Sequence, residues 1–198
     1  ICQVVRKFSD PNVVHVAGKV DPASDQETIK LELIYADLAT VERRISETEP
    51  KARSGDKEQV KALEVYRKVK GILDAGKIIS EAGLTEDEQL LIRDLSLLTV
   101  KPMLYVLNVD ESEAATEVPG YVVISAKVES ELADMEEADA REYLATLGLK
   151  KTGLDRLITA AYQALTLITF LTTGPDETRA WTIVAGSTAP QSGRIAQS

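Results

Sequence analysis

The sequence predicts an α/β fold: a largely parallel sheet whose chain is interrupted by two long packed helices. Three observations carry this. Two continuous apolar runs, Pro102 to Leu107 and Tyr121 to Ile124, lack the alternation of a half-exposed strand. They read as strands buried on both faces, which points to a parallel sheet. Between residues 24 and 73 apolar residues recur at spacings of three and four, the period of helices packed side by side. Residues 167–183 are β-branched and aromatic on both sides of a Gly-Pro-Asp-Glu turn, the pattern of a hairpin. Composition agrees, since 198 residues with 44% apolar and 28% charged side chains describe a globular chain.

Taken in order, Cys2, Val4 and Val5 end a first strand, followed by a polar turn at Ser9-Asp10-Pro11-Asn12 and a short apolar run, Val13 to Val16. A buried strand normally has an upstream partner, so further sequence is expected ahead of Ile1. Ser24 and Glu27 form a capping-box pattern that opens the first long helix. Leu31, Ile34, Leu38, Val41 and Ile45 give it a heptad seam about 25 residues long. Pro50 and Ser54-Gly55 break it. Ala62, Tyr66, Val69 and Leu73 then mark a second helix, and a polar turn between the two makes them antiparallel. Thr85 with Glu88 is a second capping box, before a short helix through Leu90, Leu91 and Leu95. The two buried strands follow. Only nine residues separate Glu111 from Tyr121, short for a parallel crossover, so either the strands are not parallel neighbours or, the favoured reading, a helix is missing between them. A helix is expected over 131–147, and another with Leu154, Leu157, Ile158, Ala161 and Leu165 on one face.

Several kinds of chemistry are excluded. A single Cys and a single His leave no Cys-based zinc site, no two-His metal site and no Ser/His/Asp set. Cys2 reads as a buried, inert thiol and His15 as a packed or strand-end residue. Glu136-Glu137 and Glu86-Asp87-Glu88 read as solvated helix faces, and Trp181 as a core or interface anchor. No apolar run approaches the ~18 residues of a spanning helix, and no secretory signal is visible. A cytoplasmic setting without a membrane partner is expected. The net charge of −9 argues against a surface that coats nucleic acid, and no DNA partner is expected. Charge is nevertheless segregated. Residues 40–80 hold ten Lys or Arg against seven Asp or Glu, a net +3 that leaves −12 for the remainder. Arg43, Arg44, Lys61 and Lys68 are therefore candidate RNA or ribosome contacts, with a merely solvated basic face as the alternative.

The sharper signal lies where the buried strands end. One ends in Asn108-Val109-Asp110-Glu111, the other in Ser125-Ala126-Lys127. Open α/β sheets bind ligands beyond the carboxyl ends of their strands. An Asn side chain offers one acceptor and two donors, which suits a purine edge, and the Ala126 N–H could meet the exocyclic group of the base. GTP-binding P-loop proteins carry N-K-x-D and S-A-K at these places, the Asp accepting two hydrogen bonds from guanine. Here the Lys is Val109 and the Asp is Glu111, so preference for guanine should be weak and adenine acceptable. The alternative is an Asn and a Ser that merely end strands.

These motifs, with Val14-His-Val-Ala-Gly-Lys-Val-Asp-Pro22, Gly174-Pro-Asp-Glu-Thr-Arg-Ala-Trp-Thr182 and Gly186-Ser-Thr-Ala-Pro-Gln191, resemble the Obg-like ATPases, the YchF family of P-loop NTPases. The resemblance implies a Ras-like nucleotide-binding domain at 1–23 and 97–165, a helical hairpin inserted at 24–96, and the start of a β-grasp-like TGS domain at 166–198. It implies hydrolysis of ATP in preference to GTP, Mg²⁺ dependence and ribosome association. It places Asn108, Val109 and Glu111 around the adenine, Val109 packing on the base or offering its backbone, with Ser125 and Ala126 closing the pocket and Lys127 matching the S-A-K pattern beside them. The sequence also departs from the family: it contains no G-x-x-x-x-G-K-[ST], and His15 does not match the family's catalytic His. The family's run after Ala-Pro-Gln also continues differently from Ser192 to Ser198. The chain by itself is therefore expected not to hydrolyse ATP.

Overall fold

The computed structural model describes residues 1–8, 21–174 and 177–196. His15, the run Val13–Val16 and most of the Val14–Pro22 motif lie outside them. The described residues divide into two units, one built from Ile1 and residues 21–102 and the other from residues 2–8 and those described after 102.

The first unit is helical. Helix α1 (Pro22–Arg53) starts earlier than the Ser24 box suggests, because Asp21 is its cap. The Asp21 carboxylate accepts from the N–H groups of Ala23 and Ser24, and Pro22 fills a first-turn position where no N–H is needed. The helix also runs through Pro50, which forfeits one backbone hydrogen bond in a turn that packing sustains. Thr48 is buried in that turn, and Glu49 accepts from Arg67 at 2.6 Å. Helix α2 (Lys57–Asp74) is capped by Asp56, after a turn in which Gly55 takes φ +92°. Its ion pairs with α1, Arg67 to Glu49 and Lys70 to Glu42, show that the two helices run in opposite directions.

The seam between them is only partly the expected one. Helix α2 buries Ala62, Tyr66, Val69 and Leu73 as its spacing predicts, and adds Leu63 and Val65. Helix α1 buries Ile34, Asp37, Val41 and Thr48, whereas Leu31 is exposed and Leu38 and Ile45 are half-buried. Asp37 is the surprise. Its carboxylate is 2% exposed and accepts from Leu98 N–H at 2.8 Å, Thr99 N–H at 2.7 Å and Thr99 Oγ1 at 2.7 Å. Three donors solvate the buried charge and tie the segment after helix α3 (Glu86–Ile92) to α1. The Thr85–Glu88 capping box that opens α3 is present as expected.

In the second unit β1 (Cys2–Arg6), β2 (Leu104–Asn108) and β3 (Tyr121–Ile124) form a parallel sheet in that order. The two apolar runs are therefore parallel neighbours. Residues 109–120 join them with one 3-10 turn, Glu111–Glu113, and no helix. Strand alternation buries Gln3 and Val5 and leaves Cys2 and Val4 exposed, which corrects the buried thiol expected at Cys2. Val5, Leu107, Val109 and Val123 make the core of one face. The stretch expected as one helix over 131–147 is two, α4 (Ala126–Ala133) and α5 (Glu137–Thr146), broken where Asp134 and Met135 close the first.

Helix α6 (Gly153–Ala164) packs on β2 and β3, but its expected apolar face is incompletely covered: Leu154, Ile158 and Leu165 are about half exposed. Its first turn is held by a Thr152–Asp155 capping box and by Glu129 of α4, which accepts from Gly153 N–H and Leu154 N–H. A Cβ at Gly153 would lie 2.8 Å from Ile124 Cγ2 and 2.8 Å from Glu129 Oε1. Gly153→Ala is therefore expected to cost about 1–2 kcal/mol, as overpacked sites do. Urea unfolding checks this, and an unchanged midpoint would contradict the close approach. Strands β4 (Leu167–Thr173) and β5 (Thr178–Val184) form the antiparallel hairpin, with half-buried Trp181 opposite Phe170 and its Nε1 donating to Thr172 Oγ1. Helix α7 (Ala189–Ala196) follows.

Candidate functional site

The carboxyl ends of β2 and β3 meet because their register pairs Asn108 with Ile124. Asn108 therefore stands level with the last residue of β3, and the next residue, Ser125, is the cap position ahead of α4. The Ala126 N–H donates to Asn108 Oδ1 at 3.0 Å. The side chain at the end of one strand thus satisfies an N–H in the first turn of the helix after the next, where Ser125 makes no capping bond of its own. Ser125 is 2% exposed and its Oγ has no hydrogen-bond partner among the described residues.

Beyond Asn108, Val109 turns inward. Its side chain is 3% exposed in the core with Val5, Leu107 and Val123, and its N–H donates to Ile124 O. Packing of this side chain on a base is thereby replaced by packing in the core, which leaves Val109 only its backbone carbonyl to offer. Glu111 opens the 3-10 turn, and its two carboxylate oxygens are both engaged. Lys127 Nζ lies 3.0 Å from Oε2, and the Tyr143 hydroxyl lies 3.3 Å from Oε1. Tyr143 also makes a short hydrogen bond to Glu131, and Lys127 Nζ is 3.9 Å from Glu131. A single phenolic proton cannot serve two carboxylates equally, so Lys127 is the stronger tether of Glu111.

These contacts set the proton affinities. The bond from Lys127, then its charge, holds the Glu111 carboxyl below its ordinary value of 4.5. Glu111 in turn raises Lys127, and Glu131, before burial and Glu111, pushes the Tyr143 phenol up out of its usual range. Tyr143 is thus a neutral donor at neutral pH. Because the folded-state value of Glu111 is depressed, its ion pair is intact above pH 4.5 and is lost as the pH falls through the folded-state value. Glu111 is therefore expected to titrate below pH 4.5, moving upward in Lys127→Met, as followed by its side-chain carboxyl carbon resonance. A wild-type midpoint at or above 4.5 would contradict the pairing.

Five of the six sequence-predicted residues therefore converge: Asn108, Glu111, Ser125, Ala126 and Lys127. The sixth, Val109, faces away. The Ala126 N–H, expected to meet the exocyclic group of a base, is taken by Asn108. Glu131 and Tyr143 were not singled out from sequence. The only signal was that Lys127 and Glu131 share a helix face at i and i+4, one turn apart.

The four candidate RNA contacts lie in the helical unit. Arg44 is bound to Asp94 and near Glu47, and Lys68 is bound to Glu88. Asp94 raises the pKa of Arg44, and Lys68 lowers that of Glu88. Arg43 and Lys61 make no ion pair among the described residues. No helix among the described residues is long and apolar enough to cross a membrane.

No protein-family model matches the chain. Over its full length it is 43% identical to the ribosome-binding ATPase YchF of Bacillus subtilis strain 168, of which it covers 58%. It is 40% identical over 96% of its length to the protein of the same name from Escherichia coli O157:H7, covering 56% of it. The solved structure of the Schizosaccharomyces pombe YchF GTPase matches 98% of the chain with a TM-score of 0.81 at 29% identity, and 57% of that structure is covered. The chain thus spans less than three-fifths of the length of these relatives. Its parallel sheet and helices match that structure, and along nearly its whole length the chain is similar to YchF proteins of the Obg-like family.

Proposed function

We propose that this chain is the base-reading part of a P-loop ATPase that binds and hydrolyses ATP in preference to GTP. One observation carries the reading: Asn108 Oδ1 takes the Ala126 N–H, while Lys127 holds Glu111. The first contact orients the Asn108 amide so that its two N–H groups are left to meet an acceptor on a purine. It also removes the N–H donor that the carbonyl oxygen of guanine would need, whereas adenine carries an amino group there. The second contact neutralises the carboxylate that would otherwise clamp guanine and repel the ring nitrogen of adenine. The buried, unpartnered Ser125 hydroxyl and the positive end of α4 complete the polar lining.

We propose the larger organisation that the family resemblance implies. Residues 1–23 and 97–165 belong to a Ras-like nucleotide domain, 24–96 to an inserted helical hairpin, and 166–198 to the start of a TGS domain. Relatives carry the name ribosome-binding ATPase, which supports the ribosome and ATP as partners in a cytoplasmic setting. Mg²⁺ would accompany ATP, but the described residues contain no cluster of three or more His, Cys, Asp or Glu that could hold a metal. No catalytic step is assigned to this chain. It contains no phosphate-cradling loop, and alone it should not hydrolyse ATP. The test is equilibrium binding of ATP and GTP to the full-length protein, in which equal or tighter GTP binding would defeat the adenine reading.

A second reading is a ribosome- or RNA-docking module in which nucleotide is secondary. It rests on Arg43 and Lys61, which are exposed without an ion pair among the described residues, more than on Arg44 and Lys68. Salt-dependent ribosome co-sedimentation that weakens on neutralising Arg43 and Lys61 supports it, and unchanged co-sedimentation removes it.

A further inference from the structure

We infer that Lys127 is a specificity-determining positioning residue: it holds the Glu111 carboxylate in an ion pair and so prevents Glu111 from accepting hydrogen bonds from guanine. The inference rests on the adenine reading above and adds the agent that enforces it. A carboxylate two residues beyond Val109 is not by itself adenine-friendly. Left free, it offers two oxygens in the geometry that guanine's ring N–H and amino group seek, and it repels the ring nitrogen lone pair of adenine. What changes its chemistry here is its surroundings. Lys127 Nζ lies 3.0 Å from Oε2, and the Tyr143 hydroxyl lies 3.3 Å from Oε1. The ammonium takes Oε2 and offsets the charge, and the Tyr143 phenol, whose proton goes to Glu131, stands beside Oε1.

The geometry is supported from a second side. Lys127 sits in the first turn of α4, one residue after the Ala126 whose N–H is bound by Asn108. The residue that restrains Glu111 and the residue that reads the base are therefore anchored to the same helical turn. Glu131, one turn further along α4, lies 3.9 Å from the ammonium and accepts the short hydrogen bond of Tyr143. It competes for Lys127, but the shorter distance places the ammonium on Glu111. Tyr143 is kept protonated by the two carboxylates, so it acts as a neutral donor that fills the remaining space beside Glu111.

Binding of ATP and of GTP to the full-length protein is measured for wild type, Lys127→Met, Lys127→Arg and Lys127→Met/Glu111→Gln. Lys127→Met keeps the apolar stem and removes the ammonium. It is expected to shift the GTP-to-ATP affinity ratio toward GTP by about tenfold, the scale of one charged bidentate contact. Lys127→Arg should stay near wild type, and the double variant should return the ratio to the wild-type value, because no anionic carboxylate is left to release. A merely structural role for Lys127 would weaken both nucleotides alike and leave the ratio fixed. A wild type that prefers ATP together with an unchanged ratio in a folded Lys127→Met overturns this inference alone. A wild type without ATP preference overturns the adenine reading, and the inference falls with it.

Discussion

Replacing Asp37 with Ala is expected to destabilise the helical unit by about 3–5 kcal/mol, the scale of several donors left without their acceptor. The side chain is 2% exposed and is the acceptor for Leu98 N–H, Thr99 N–H and Thr99 Oγ1. Truncation leaves the two buried Thr99 donors away from water and the part-buried Leu98 N–H without its acceptor. Each buried donor left unmade costs about 1–3 kcal/mol, and partial rehydration keeps the total below their sum. Asp37→Asn should cost less, because it keeps one acceptor oxygen while its amide points a donor at another donor. Hydrogen exchange gives a local readout, in which the Leu98 and Thr99 amides should lose protection before those of α2. A loss under 1 kcal/mol with unchanged exchange would show that the carboxylate is not what holds residues 97–99.

Asn108→Ala in the full-length protein should weaken ATP binding by about 1–3 kcal/mol, or about 5- to 150-fold. Two losses contribute. The amide donors proposed to meet the base disappear, and the Ala126 N–H loses its acceptor at 3.0 Å. Asn108→Asp separates them, since a carboxylate still accepts from Ala126 but offers no donor to the base. If the base contact dominates, Asp should weaken ATP binding about as much as Ala. If the fold of the α4 turn dominates, Asp should restore most of the affinity. Equal ATP affinity in all three proteins would remove Asn108 from the site.

How much of this was legible in the sequence depends on whether an element rests on local pattern or on register. The α2 seam, the Thr85 cap, the β3 limits and the β4–β5 hairpin follow from spacing and turn chemistry alone, and all are present. The start of α1 was misread because Ser24 and Glu27 form a plausible box, while Asp21 before Pro22 caps the helix better. The α1 seam was misread at Asp37, because a period count of apolar residues passes over a carboxylate whose donors lie some sixty positions downstream. Cys2 was expected inside as an inert thiol, but β1 alternates, burying Gln3 and Val5 and turning Cys2 and Val4 outward.

The same division holds at the site. Asn108, Ser125 and Ala126 were visible as strand-end residues. That they meet depends on the parallel register of β2 and β3, which no local pattern encodes. Val109 followed the motif but not the expected direction: the residue after a strand-end Asn lies on the core side of the sheet. The engagement of Glu111 by Lys127 and Tyr143 was invisible. It needs α4 and α5 to be separate helices that turn back on each other, where the sequence suggested one.

If Asn108 reads adenine while Glu111 is kept from guanine, the full-length protein must bind ATP more tightly than GTP. The most direct measurement is the ratio of ATP to GTP dissociation constants for the full-length wild-type protein, at fixed Mg²⁺ and ionic strength. Tighter ATP binding, with the preference narrowed by Lys127→Met, is the result expected. GTP bound as tightly as ATP or more so would contradict the account.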